Sequence, residues 1–116
     1  MVVVVAGSRT YRNKRRVFDE LDQWAAAGHI DRIVSGCAAG PDDFAIEWAE
    51  KNGVPVDKFP ADWDEYGKSA GFIRNAEMAA VGDMLLAFWD GKSKGTQHMI
   101  DCMSRKKKKV IVIGEM

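Results

Sequence analysis

The 116-residue sequence contains only two cysteines, Cys37 and Cys102, and two histidines, His29 and His98. Two cysteines do not make a disulfide framework, and without a histidine cluster beside them they do not make a zinc site. Neither sign of charge is in excess: 17 Lys and Arg balance 17 Asp and Glu, for a formal net charge of zero. General nucleic-acid binders usually carry a basic surplus, so on this count nucleic acid is not expected as a partner. No apolar run reaches the ~18 residues of a membrane span. The opening Met1–Ala6 is too short for a signal peptide and lacks a basic start, so no membrane partner and a cytoplasmic location are the default expectations. Also missing are a full G-x-G-x-x-G fingerprint, a Walker A motif, an H-E-x-x-H helix, Ser-His-Asp spacing and an obvious carboxylate pair. Ordinary dinucleotide and NTPase readings therefore lack support. No catalytic residue, metal ligand or cofactor is assigned.

What is present is an ordinary globular composition, 47% hydrophobic and 29% charged. The length suits one domain over residues 1–116. Val2 to Ala6 is an unbroken apolar run without alternation, the pattern of a central strand buried on both faces. Val17, Leu21, Trp24 and Ala25 fall at helical spacing within 13–27, and Gly28 ends that helix. Ile30 to Val34 reads as a second strand. Pro41 opens a second helix, with Phe44, Ala45, Trp48 and Ala49 as its buried stripe and Gly53 as its stop. Val54 to Phe59 is a third strand, marked as an edge by Pro55. Residues 60–71 form a long aromatic and polar loop, a length that is often functional. A helix over 72–81, a strand over Met84–Trp89, a helix over 96–105 and a strand over 110–113 complete the chain. The order β-α-β-α-β-α-β-α-β predicts a three-layer, Rossmann-like α/β fold. Its five-stranded parallel sheet has the order 3-2-1-4-5, with helices on both faces.

In such sheets ligands bind beyond the carboxyl ends of the strands where the order reverses, here between the first and fourth strands. The loops at that point are Gly7-Ser8-Arg9 and Asp90 to Thr96. Asp90-Gly91 stops an apolar strand, and Ser93, Gly95 and Thr96 lead into a helix whose N–H groups and dipole favour an anion. Gly7 permits close backbone approach, and Ser8 and Arg9 can donate to phosphate or ribose oxygens. A plain turn with a surface arginine fits the same tripeptide. Ser35-Gly36 and Gly40 with Asp42 form a second loop and helix start; Asp42 suits either a ribose hydroxyl or its own helix dipole. Arg74-Asn75 can grip a phosphate and read a hydroxyl, or be surface and cap. Trp63, Tyr66 and Trp89 can stack on a base; the first two can equally cover a sheet edge. Arg9, Arg12, Lys14, Arg15 and Arg16 form either an electropositive rim or a solvated helix face. Cys37 reads as packing, His29 as inert, His98 as a residue near the ligand loop, and Lys106–Lys109 as solvated structure.

Taken together, several blocks resemble the YspA-like branch of the SLOG superfamily, which also contains the LOG phosphoribohydrolases and the DNA-processing protein DprA. They are Val4-Ala6-Gly7-Ser8-Arg9; Ser35-Gly36 with Gly40 and Asp42; Phe59-Pro60-Ala61-Asp62-Trp63; Tyr66-Gly67-Lys68; Ala70-Gly71 with Arg74-Asn75; and Ala87 to Gly91 with Ser93 and Gly95-Thr96. The resemblance implies a Rossmann-like fold and binding of nucleotides or molecules derived from them, such as an ADP-ribose or NAD derivative. It marks Gly7, Ser8, Arg9, Ser35, Gly36, Gly40, Asp42, Arg74, Asn75 and Asp90 to Thr96 as ligand loops. Superfamily relatives often form dimers through helices near the site, so the resemblance leaves room for a homodimer or higher homo-oligomer; Trp24, Trp48 and the aromatic loop fit its surface or, equally, the core. Two departures argue against glycosidic cleavage: Met99 stands where the phosphoribohydrolases carry a glutamate, and Asn75 replaces a lysine. The leading expectation is a module that senses or sequesters a nucleotide-derived small molecule. The alternative is an N-glycosidic hydrolase acting on a nucleoside monophosphate. A third reading, by analogy with DprA, is single-stranded nucleic-acid binding, against which the neutral charge weighs.

Overall fold

A computed structural model of the chain describes residues 1–114. Its organising strand is β1 (Val2–Gly7), in which Val3, Val4 and Val5 are all fully buried. A strand can bury both faces only when helices cover each side, and that is the arrangement found. β1 pairs in parallel with β2 (Arg32–Ser35) and with β4 (Met84–Trp89), setting Val4 opposite Val34 and Leu85. The short β3 (Val56–Lys58) and β5 (Lys109–Gly114) take the edges, giving the order 3-2-1-4-5.

The pleat divides the core in two. Val3, Val5, Ile33, Leu86 and Phe88 face the side covered by α1 (Lys14–Ala26) and α2 (Pro41–Asn52). Val4, Ala6, Val34, Leu85 and Ala87 face α4 (Ala70–Val81) and α5 (Lys94–Arg105). A short α3 (Trp63–Tyr66) and a 3-10 turn (Gly67–Ser69) lie between β3 and α4. Trp48 is core, 1% exposed, and its indole N–H donates to Asp22 Oδ1 at 2.8 Å, tying α2 to α1. It offers no surface to a second copy. Among the described residues no helix is long and apolar enough to cross a membrane.

Departures from the sequence expectation have local causes. The second strand starts at Arg32, where pairing with Val2 begins, rather than at Ile30. β3 is shorter than Val54–Phe59 because the Val54 N–H is taken by Ala49 O at the end of α2 and Pro55 has no N–H to give. The stretch 60–71 is largely helical. Asp62 accepts a hydrogen bond from the Glu65 N–H at 3.1 Å, a helix cap that starts α3. Ser93, capping α5 through the Thr96 N–H, begins that helix two residues early.

Gly82 follows α4 and packs directly on β1; a Cβ there would run into Val4. Gly82→Ala is therefore expected to cost about 1–3 kcal/mol through overpacking. It should appear as a lower urea midpoint with an unchanged slope. Gly95→Ala, where a Cβ meets nothing within 4 Å, serves as the neutral control.

Candidate functional site

Beyond the carboxyl ends of β1 and β4, two loops are bonded into one. The Ser8 N–H donates to Phe88 O at 3.0 Å, and Ser8 Oγ accepts from the Asp90 N–H at 3.0 Å. Ser8 is consequently 1% exposed, and its hydroxyl serves the junction of the two loops. Gly7 sits where β1, β4 and α2 meet: a Cβ would lie 2.5 Å from both Phe88 O and Pro41 Cγ. Asp90 Oδ1 accepts from the Lys92 and Ser93 N–H groups, each at 2.8 Å. These bonds hold its carboxyl below the usual range and leave Asp90 shaping its own loop around Gly91. Trp89 donates its indole N–H to Ser93 O at 3.1 Å.

The opposite wall is built on Arg74, near the start of α4. One guanidinium nitrogen, Nη1, donates to Gly36 O at 2.5 Å, and Nε donates to Asn75 Oδ1 at 3.0 Å. The planar fork is thereby fixed in place, which prepares it for a planar anion. Asn75 is nearly buried, and its amide nitrogen bridges Gly95 O and His98 Nδ1, both at 3.2 Å, joining α4 to the first turn of α5. Ser35 Oγ donates to Asp42 O at 2.8 Å and fixes the start of α2. Asp42 is 4% exposed. Burial pushes its carboxyl up to about 7, although nearby Arg74 and backbone hydrogen bonds from Ala38 and Gly7 pull the other way. Arg74 and Asp42 converge on Gly36, where a Cβ would lie 2.5 Å from Arg74 Nη1 and 2.9 Å from Asp42 Oδ2.

Three clefts open between these walls. The central one, about 220 Å³, is lined by nine of the residues singled out in the sequence: Gly7, Arg9, Asp42, Trp63, Arg74, Asn75, Ser93, Gly95 and Thr96. A second of about 290 Å³ adds Gly36 and shares Arg9, Trp63 and Arg74 with the first. A third of about 290 Å³ holds Trp89 and Gly91 with Lys92 and Lys94. Ser8, Ser35, Gly40, Tyr66 and Asp90 line none of the three. Gly40, at φ +86°, turns the chain into α2 directly against Ser8 O.

Among the lining residues that the sequence reading did not assign to a site are Lys68 and Phe72. Lys68 borders the central cleft. Phe72, half exposed, stands between the central and third clefts with its ring 4.4 Å from that of His98. The available signal for Phe72 was its place two residues before Arg74 on the loop-facing end of a helix. Met99 forms part of the central floor and is 1% exposed.

Asp42 makes stability depend on pH, and the sign follows from its raised folded value. Between the ordinary 3.8 and about 7 the folded chain holds this proton more tightly than the unfolded chain. Its contribution is most favourable at low pH and is lost as pH rises through about 7. Thermal melts from about pH 5.5 to about 8.5 should show the melting temperature falling across neutrality. Asp42→Asn should flatten that fall and melt higher than the parent at the alkaline end.

Comparison with known proteins agrees with this architecture. The YspA, cpYpsA-related SLOG family matches residues 1–66. The Gene 61 protein of Mycobacterium phage D29 is 38% identical over 113 residues, spanning 91% of this chain and 88% of that protein. Among solved structures, DNA processing protein A from Helicobacter pylori, described for its single-stranded DNA binding mode, superposes with a TM-score of 0.73 at 18% identity. That match takes in all of this chain and 66% of the other, so this chain spans just under two thirds of its length. The likeness to a protein that binds single-stranded DNA overturns two expectations: that the ligand is a nucleotide-derived small molecule, and that nucleic acid is not a partner. The physical reason is that net charge is a sum over the whole chain. The charged residues lining the two adjoining clefts are Arg9, Lys68 and Arg74, opposed only by Asp42, whose burial disfavours its charged form. The order of the blocks, the 3-2-1-4-5 sheet and these matches lead to one assignment: the chain belongs to the YspA, cpYpsA-related SLOG family.

Proposed function

We propose that the protein binds single-stranded nucleic acid along the three clefts. The observation that carries this reading is that neighbouring clefts share lining residues. Trp63 is shared by the second and central clefts, and Phe72 by the central and third, so the three form one trough across the carboxyl end of the sheet. Both rings are about half exposed, at 51% and 50%. Exposed aromatic faces alternating with cations are what a single strand requires: bases stack, and phosphates pair with Lys and Arg. Arg9, Arg74 and Lys68 supply charge in the centre, and Lys92 and Lys94 at the far end. Arg74, held by Gly36 and Asn75, meets a phosphate with little ordering left to do. Ser93, Gly95 and Thr96 present the first turn of α5 to the same central cleft. A second support is size. Sites that enclose a small molecule run to roughly 300–1,000 Å³, and the central cleft, at about 220 Å³ with neighbours that share its lining residues, suits part of a longer ligand. The fold shared with DNA processing protein A from Helicobacter pylori supports the same class of partner.

The test is fluorescence anisotropy of a labelled oligothymidylate across a salt series. Affinity should fall as salt rises, and duplex of equal length should bind more weakly. Trp63→Ala should weaken binding by about 5- to 100-fold through loss of one stacking platform. Arg9→Ala should weaken binding on all sequences and reduce the log–log salt slope by about 1. Both side chains are exposed, so circular dichroism should show an unchanged fold. Absence of salt dependence, or no effect of Trp63→Ala, would overturn the reading.

A further inference from the structure

We infer that a strand phosphate enters the central cleft together with a proton: seating it on Arg74 is coupled to protonation of the Asp42 carboxyl beside it. This rests on the single-strand reading and adds a regulation to it. The geometry carries it. Asp42 and Arg74 line the same cleft. Both reach the space over Gly36, so carboxyl and guanidinium lie within a few ångström of each other. An anion drawn to Arg74 therefore comes up against Asp42. Asp42 is 4% exposed, where water and salt screen little. Two negative groups brought together there disfavour each other's charge, and the better base takes up a proton. A phosphate diester is too weak a base for that, which leaves Asp42.

The surroundings of Asp42 point the same way. Arg74, from α4, is the cation beside it, and the N–H groups of Gly7 and Ala38 donate to it. Cys37, on the loop before α2, is held as a thiol by its own burial and by Asp42. Arg9 and Lys68 line the same cleft. The helix α1 meets α2 further along, through Lys14 with Glu47 and Asp22 with Trp48. A phosphate on Arg74 thus engages the one neighbouring charge that most favours the ionised form of Asp42. In the free protein that carboxyl already titrates at about 7, so the added negative charge acts on a proton equilibrium within the neutral range. Linkage makes the effect reciprocal: whatever factor the phosphate adds to proton affinity, the proton adds to phosphate affinity. Affinity for a strand is then greatest at low pH and declines as pH rises through about 7.

Anisotropy titrations of a 5′-hydroxyl oligothymidylate at fixed ionic strength, from about pH 6.5 to about 8.5, test this. Kd should rise about 5- to 25-fold over that range, and about 2-fold or less in Asp42→Asn. His98, lowered chiefly by burial, is largely neutral throughout, and Cys37 stays a thiol, so neither supplies the trend. Calorimetry of the unaltered protein in two buffers of different ionisation enthalpy needs no variant. At about pH 7.5 strand binding should take up about half a proton or more. A Kd independent of pH with no proton uptake, or a decline that Asp42→Asn leaves in place, overturns the coupling while the single-strand reading stands. If the oligothymidylate binds at no pH in the range, that reading falls and the coupling with it.

Discussion

The candidate site is framed where an arginine and a buried aspartate meet over a glycine. Arg74 comes from α4 and Asp42 from α2, on opposite faces of the sheet, and they converge where Gly36 leaves β2. The pair is not a strong ion pair. Burial raises Asp42 so far that its charge is partly surrendered at neutral pH. Arg74 instead gains its position from neutral oxygens, the Gly36 carbonyl and the Asn75 amide. A guanidinium anchored by neutral acceptors keeps its full charge for an incoming anion. Had a strong carboxylate anchored it, the site would be self-neutralised.

The rest of the constellation follows from this geometry. The Ser8–Asp90 bond fixes the β1 and β4 loops as one surface, and the Ser35–Asp42 bond fixes the start of α2 beside them. With these polar groups spent internally, the proposed recognition of a strand falls to aromatic faces and cations at the rim. Those are groups that tolerate any base sequence. The small polar residues therefore shape the trough, and the large ones face its contents.

The sheet was legible because burial on both faces writes itself into β1 as a run of valines, and regular alternation with amphipathic helices leaves few topologies. Gly7, Arg9 and the α5 start were legible because the reversal point locates them without any side-chain detail, whereas Arg74 and Asn75 were marked only by residue type and by the family resemblance. Other features depend on competition that periodicity does not record. Ser8 and Ser35 have the chemistry of ligand donors, yet a nearby backbone group reaches each first. The 60–71 stretch looked irregular because its short helix hangs on a single cap at Asp62. Phe72 carried an apolar label although it is half exposed. The neutral total charge concealed a trough whose lining is cationic.

Asn75 has a mechanical consequence. Its one amide nitrogen reaches both Gly95 O and His98 on α5, while its oxygen holds Arg74 on α4. The two helices flanking the central cleft are thus riveted, and that side of the trough moves as one body. The neighbouring α3 is different: it is four residues long and contains no buried residue. Trp63 opens that helix and lies against Gly71 at the start of α4. A ligand in the central cleft would then meet one wall braced across two helices and, beside it, one indole carried on a single unburied turn, so the ordering that binding requires falls on a few residues around that ring.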